Sequence, residues 1–393
     1  MIHKYIFLYC LYFTLTQRTL LAKIVPNDRD LKLELVQLLF RHGARTPLSE
    51  ELEVFNYLNS SVYDDVGLGI LTPKGKQQEY EFGTFLRKRY DGYLRANYLS
   101  EEVYAYTTHN DRTKMSLELI LAGLYPPTDA GVWNPQLKWS PIPYRYVPEA
   151  MDVLLKYYEG PRFLHLIKKT QRSDEFKTQI SKHAEFLNFL TNKTGIQFDK
   201  KIKNIQDMYG VLVSNENLNL TLPEWYTPEM KQKFIKTLEV VFDSYSFTQE
   251  MKKLHSGPLI KTMIENMNLN KTFSNPRKIY LYSGHDGNVA AFIRAHNIQE
   301  FRYTRFGDGL VFEKFRDSRD KVYVRLLAWT SEKKKLTPLK LGSHKEFCPI
   351  KDYLKLVESL VPTDQEIDQL LAEVDMKQLK DLFFKDDAVK LVN

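Results

Sequence analysis

The sequence predicts an α/β fold: a mainly parallel central sheet flanked by helices, with an inserted helical domain. Two stretches near opposite ends of the chain predict the core. In each, an apolar strand-like run ends in a short polar turn and passes toward a helix: "LLFRHGARTPL" at residues 38–48 and "RKIYLYSGHDGNVAAFIRAH" at 277–296. Strand–helix alternation at both ends, with helical periodicity between, is the pattern of a sheet covered by helices and interrupted by an insertion.

Taken in order, residues 31–40 alternate at Leu31, Leu33 and Leu35 and then run almost continuously apolar. That suits a strand buried on both faces, although the leucines and Glu34 would also suit a helix. "LTPKGKQQEYEFGTFLRKRY" predicts a helix with Thr72 as N-cap, Pro73 at its first position and basic residues in its last turns. Residues 102–108, "EVYAYTT", alternate like a strand, and "DRTKMSLELILAGLYPP" predicts a helix capped by Asp111 and stopped at Gly123, Pro126 and Pro127. Residues 133–148 are proline-rich and extended. From 149 to 265 the pattern is mostly helical, with amphipathic segments at 154–168, 185–191 and 230–245. "GLVFEKFR" and "KVYVRLLAW" predict two antiparallel strands joined by "DSRD". The tail holds a helix with a capping box from Thr363 to Glu366. The expected division is a catalytic α/β core from 23–140 and 266–393, with a helical insertion or cap at 141–265.

The 393 residues are 43% hydrophobic and 27% charged, with 24 tyrosines and 23 phenylalanines, so a sizeable core needs no disulfides. The net charge of +7 is spread without a long basic block. It favours anionic ligands in general and gives no case for nucleic acid. His3 and Lys4 precede the apolar run "YIFLYCLYFTL", which predicts a secretory signal over residues 1–22 ending at Ala22. No later stretch approaches the ~18 apolar residues of a membrane span, so no membrane anchor is expected. Sequons at Asn59, Asn192, Asn219 and Asn270 agree with export. Cys10 would leave with the signal, and Cys348 would then have no partner within the chain.

The chemistry-bearing residues follow the apparent strands. Arg41, His42 and Arg45 lie past the first, Arg112 past the second, and His285 and Asp286 past the third. In an open α/β sheet, ligands bind beyond the carboxyl ends of the strands, and helix N-termini there attract anions. Guanidinium forks match phosphate oxygens in a bidentate way that lysine cannot reproduce. Two readings stay open on the residues alone. The arginines and histidines converge on one anion, or "RHG" is simply a helix end with basic residues and a terminal glycine.

"RHGARTP" resembles the RHGxRxP signature of the histidine acid phosphatases. "NDRTKMS", "WNPQLKWSPIPYRYVPE", "GPRF", "LTLPEW", "YSGHDGNV" and "GLVFE" resemble later landmarks of the lysosomal, prostatic and insect-venom members, in the same order. The resemblance runs from about Leu33 to the tail. It implies a phosphoglycerate-mutase-like core and hydrolysis of small phosphomonoesters without metal or other cofactor. His42 would be the nucleophile and Asp286 the proton donor to the leaving alcohol. Arg41, Arg45, Arg112 and His285 would clamp the phosphate. The implied product is secreted or lysosomal, and a homodimer stays open because many members form one.

A histidine beside fixed cations has its charged form disfavoured, so His42 is expected to stay neutral in acid. Ala44, His109, Gly287 and Asn288 depart from common family residues, which puts substrate preference in question. Gly160 and Ser214 stand where secreted members commonly have cysteines, and Cys348 lacks its usual partner. These departures keep a second function in view: a catalytically weak secreted protein that binds a phosphorylated ligand or a host partner. Phytase-like or lysophospholipid substrates remain alternatives within the family.

Overall fold

The computed structural model describes residues 30–372 except 59, 158–159, 199–200 and 270–275. The expected signal segment and the sequons' Asn59 and Asn270 lie outside the described residues.

Strand β1 (Leu31–Arg41) lies inside a seven-stranded sheet of order β2-β3-β1-β4-β5-β6. The others are β2 (Val103–Thr107), β3 (Ile279–Gly284), β4 (Gly309–Asp317), β5 (Val322–Thr330), β6 (Lys335–Leu339) and β7 (Cys348–Pro349), which pairs with β5. β2, β3 and β1 run parallel, while β4, β5, β6 and β7 extend the sheet antiparallel. The sheet is therefore mixed, with its parallel strands on one side of β4. The expected β4–β5 pair forms, and Asp320 in its turn takes a positive φ of 62°. β6 escapes sequence reading because it is short and mostly exposed, with Pro338 in an edge position that needs no donor.

Twelve helices are described. α1 (Ser49–Val54), α2 (Pro73–Arg89) and α3 (Asp111–Leu124) precede the insertion. α4 (Pro161–Arg172), α5 (Asp174–Ser181), α6 (Ala184–Thr194), α7 (Lys203–Asn217), α8 (Pro228–Ser244) and α9 (Gln249–Asn266) follow without an intervening strand. α10 (Asp286–Ala295), α11 (Ile350–Val357) and α12 (Asp364–Ala372) complete the set.

β1 is a strand because its side chains serve two cores alternately. Leu35 and Leu39 pack with Tyr282, Leu310 and Ile260 of α9 on one face. Val36, Leu38 and Phe40 pack with Phe82 of α2 and Ile120 of α3 on the other. That settles the strand-or-helix question left by the leucine pattern. A third apolar cluster joins Phe186, Phe234 and Val241 of the helical segment to Leu52 and Phe55 around α1.

Local signals hold at several ends. Thr72 accepts from Gly75 N at 3.1 Å, with Pro73 beside it, and Thr363 and Glu366 bond reciprocally as a capping box. Elsewhere the structure corrects the sequence. Asn110, not Asp111, occupies the N-cap of α3. Gly123 does not stop that helix; a Cβ there would meet the Tyr80 carbonyl of α2 at 2.4 Å, so the glycine lets two helices touch. Residues 153–156 form a turn and helix resumes only at Pro161, so the amphipathic stretch at 154–168 is two elements. Cys348 is buried in β7, its thiol 3.5 Å from the Pro349 carbonyl.

Register places the site. Phe40 and Thr107 both pair with Ser283, and Arg41 pairs with Gly284, so the three parallel strands end at one level. β4 begins at the same level, opposite Phe40, which brings the preceding loop to that edge.

Candidate active site

The "RHG" loop is fixed from three sides. Arg41 N donates to Asp308 O at 2.9 Å, His42 N to Gly284 O at 3.1 Å, and Gly307 N to His42 O at 3.1 Å. Gly43 N donates to Ser116 Oγ at 3.1 Å, while the Ser116 hydroxyl bonds the Arg112 carbonyl at 2.7 Å. The loop lies flat on the start of α2: a Cβ on Gly43 would come 2.4 Å from Gly75 O, and one on Gly75 would come 1.9 Å from Ala44 O. Both glycines are demanded by this close approach.

His42 is buried, 3% exposed. Arg112 Nε donates to its Nε2 at 3.2 Å, and Nδ1 lies 2.9 Å from Gly43 O. A guanidinium N–H cannot accept, so Nε2 carries the lone pair and Nδ1 the proton. Burial first, then the charges of Arg112, Arg41 and Arg45, hold the imidazole well below its ordinary pKa of 6.5 against the opposing pull of the Gly43 carbonyl. The ring is thus neutral, with a fixed tautomer and its Nε2 lone pair toward Arg112.

Arg41 and Arg45 are both buried. Arg41 pairs with Asp286 at 2.9 Å and donates to Thr304 O at 2.7 Å. Arg45 makes a two-pronged pair with Glu51, at 2.8 and 2.7 Å. Both guanidiniums lie over Phe306, 4.1 and 5.6 Å from its centroid. His285 is buried with its ring 5.5 Å from that of His42 and its Nε2 3.1 Å from Thr108 Oγ1. Burial, Arg112 and Lys156 lead the causes that keep His285 well below its ordinary pKa. Asp286 opens α10, and its other oxygen accepts from Gly287 N at 2.8 Å. All six residues singled out in the sequence meet at one cavity of about 1500 Å³.

Sequence reading missed the residues that hold the cage. Glu51 sits six positions after Arg45, in a helix too short to give a periodic signal. It also accepts from Leu48 N at 2.8 Å, so one carboxylate caps α1 and orients a guanidinium. Phe306 belongs to a loop with no motif. Near the "RHG" loop, Glu79 of α2 is fully buried beside Asp308, and neither of its carboxylate oxygens finds a hydrogen-bond partner among the described residues. Burial, then Asp308, raises Glu79 well above 4.5, and burial pushes Asp308 up to about 6.

The folded protein therefore holds a proton on Glu79 that the unfolded chain releases near pH 4.5. The native state binds more protons above that point, so this group's contribution to stability falls as pH rises. Glu79→Gln, which has nothing to ionise, should gain stability relative to the parent between pH 4.5 and 7, by about 1.4 kcal/mol for each unit that the native pKa is raised within that window. Melting temperatures at both pH values check this; an unchanged difference would mean that Glu79 is not held as a neutral acid.

Of the four family departures, only Gly287 lines the cavity. Ala44 is fully buried, its N–H bonded to Gln78 Oε1 at 3.0 Å. The His109 ring packs on Tyr146, 5.5 Å between centroids. Asn288 is buried and ties His285 N to Leu155 O through its side chain. Ser214 is buried, and Gly160 sits at the N-cap of α4. Exposed Asn192 and Asn219 remain available as sequons.

Guanidiniums gathered around a neutral histidine, at the carboxyl edge of parallel strands, are the features of a phosphatase pocket. The chain belongs to branch 2 of the histidine phosphatase superfamily, whose profile matches residues 32–328. That family is one of phosphatase hydrolases. The lysosomal acid phosphatase of Rattus norvegicus is 32% identical over 357 residues, covering 89% of this chain and 83% of the relative. A venom acid phosphatase of Apis mellifera is 30% identical over 356 residues, covering 88% and 90% respectively. Among solved structures, the phytase of Klebsiella sp ASR1 superposes with a TM-score of 0.66 at 16% identity, over 85% of this chain and 98% of the phytase. At that identity the likeness is one of fold.

Proposed function

We propose that the protein is an exported acid phosphatase that hydrolyses phosphate monoesters through a phosphohistidine on His42. The observation that carries this reading is the Nε2 lone pair, held on a buried neutral ring and bonded to Arg112 at 3.2 Å. A phosphate replacing that contact would meet Arg41, Arg45, Arg112 and His285 around its oxygens. Their fixed charge stabilises the transferring phosphoryl group.

Attack by Nε2 forms the N–P bond as the ester P–O bond breaks, and Asp286 donates its proton to the departing alkoxide. Water then attacks phosphorus, passes a proton to Asp286 and releases inorganic phosphate with His42 restored. Arg41 positions Asp286 before substrate arrives. The helical segment at 141–265 serves as a cap: Leu164, Ile167 and Tyr209 line the cavity and shape the choice of leaving group. The apolar N-terminal run and the exposed sequons at Asn192 and Asn219 support export, whether to the outside or to a lysosome.

Turnover of 4-nitrophenyl phosphate from pH 4 to 9 tests the reading. Activity should peak below pH 7. It fails on the acid side only where His42 protonates, well below pH 6.5. A maximum well above pH 7 would contradict the assignment. Binding of phosphate without turnover would favour a phospholigand-binding protein on the same fold.

A further inference from the structure

The cavity exceeds the roughly 300–1,000 Å³ common for ligand pockets, and a single phosphoryl group fills only its floor. Leu164 and Ile167 of α4 are among the residues that line the cavity. Lys156 belongs to the same lining. Its side chain is only 5% exposed, yet it lines the cavity and pairs with Glu149 at 2.7 Å. Glu149 is the more accessible partner, 35% exposed.

Lys156 is placed by a built scaffold, not by a loose surface stem. Its N–H bonds Asp152 O at 2.8 Å, and Asp152 Oδ1 accepts from Leu155 N and from the Tyr106 hydroxyl of β2, both at 2.9 Å. Asn288 of α10 holds the Leu155 carbonyl at 2.5 Å. The turn is thus fastened to the two elements that deliver Thr108 and His285. Its ammonium bears on His285 more strongly than His42 or Arg41 does, whereas the arginines are the cations that bear most on His42. The positive charge therefore stands on the His285 side of the cage.

We infer that Lys156 forms a second anion subsite, which engages a further anionic group on the leaving-group side of a phosphomonoester and gives the protein a preference for doubly anionic substrates. The incoming anion displaces Glu149 and exchanges one oxygen ligand of the ammonium for another, so no new charge is buried alone. The apolar wall suits a short hydrocarbon spacer between the two anions. This inference rests on the phosphate site around His42.

The test compares propylphosphonate with propane-1,3-bisphosphonate by calorimetry on the full chain, since neither can be hydrolysed. The parent protein should bind the bisphosphonate more tightly. Lys156→Gln should lower that preference about tenfold, as expected for losing a charge-assisted contact. Glu149→Gln, which removes the competing carboxylate, should keep or raise it. An unchanged preference in Lys156→Gln, or an equal loss in both variants, would overturn the subsite and leave a structural ion pair. Equal parent affinity for the two ligands would overturn the subsite alone. Binding of neither would overturn the phosphate site as well. Turnover of propyl phosphate by the same sample reports separately on the phosphatase reading.

Discussion

His42→Ala should lower kcat on an aryl phosphate at pH 5 by roughly four to six orders of magnitude, the scale seen when a covalent nucleophile is removed. Nε2 is the lone pair that faces the arginine cage, and its orientation is fixed from both sides of the ring. Alanine leaves the cage in place. Arg41 keeps Thr304 and Asp286, and Arg45 keeps Glu51. Affinity for inorganic phosphate should therefore change far less than kcat, a split that steady-state kinetics with phosphate as inhibitor can read. A loss below about tenfold would mean that water attacks phosphorus directly, because covalent catalysis cannot survive removal of its nucleophile.

Asp286→Asn should show the second large effect, and its size should depend on the leaving group. Asparagine keeps the shape but has no proton to give an alkoxide. Alkyl phosphates, whose leaving groups need that proton, should lose about 10²–10⁴ in kcat, the usual scale of general acid catalysis. 4-Nitrophenyl phosphate, whose leaving group departs as a stable anion, should lose much less. The Arg41 contact changes from an ion pair at 2.9 Å to a neutral hydrogen bond, which is common to every substrate. Equal losses across the series would assign Asp286 to holding Arg41, not to proton donation.

The legible parts of the molecule are those in which local sequence and tertiary position agree. β1 reads as a buried strand because its apolar run feeds both faces of the sheet, and "RHG" reads as a site because it ends that strand. Arg112 and the His285–Asp286 pair could be placed by the same rule: each begins a helix directly after a parallel strand. The residues that complete the cage obey no such rule. Glu51, Phe306 and Lys156 reach it from a six-residue helix, a loop and a turn, whose positions depend on how the whole chain packs. Glu79 shows the same limit. Charged residues surround it in α2, and only the folded structure distinguishes the acid that is buried against Asp308.

The family departures give the reverse lesson. Ala44 and His109 attract attention because they flank motifs, but neither lines the cavity. Gly287 does, and it does so next to Asp286. Boundary errors had local causes. Gly123 serves helix contact, and Gly160 with Pro161 resets a helix that periodicity alone would have run through.

The central claim is a covalent phosphohistidine, and the direct measurement is to trap it. Enzyme mixed with excess aryl phosphate at pH 5 for milliseconds, quenched in alkaline denaturant and digested, should carry an acid-labile, alkali-stable phosphate. Mass spectrometry should locate that phosphate on His42, and the label should be absent from His42→Ala. Turnover with no phosphoenzyme at any quench time, or a label on His285 or on a carboxylate, would contradict the account.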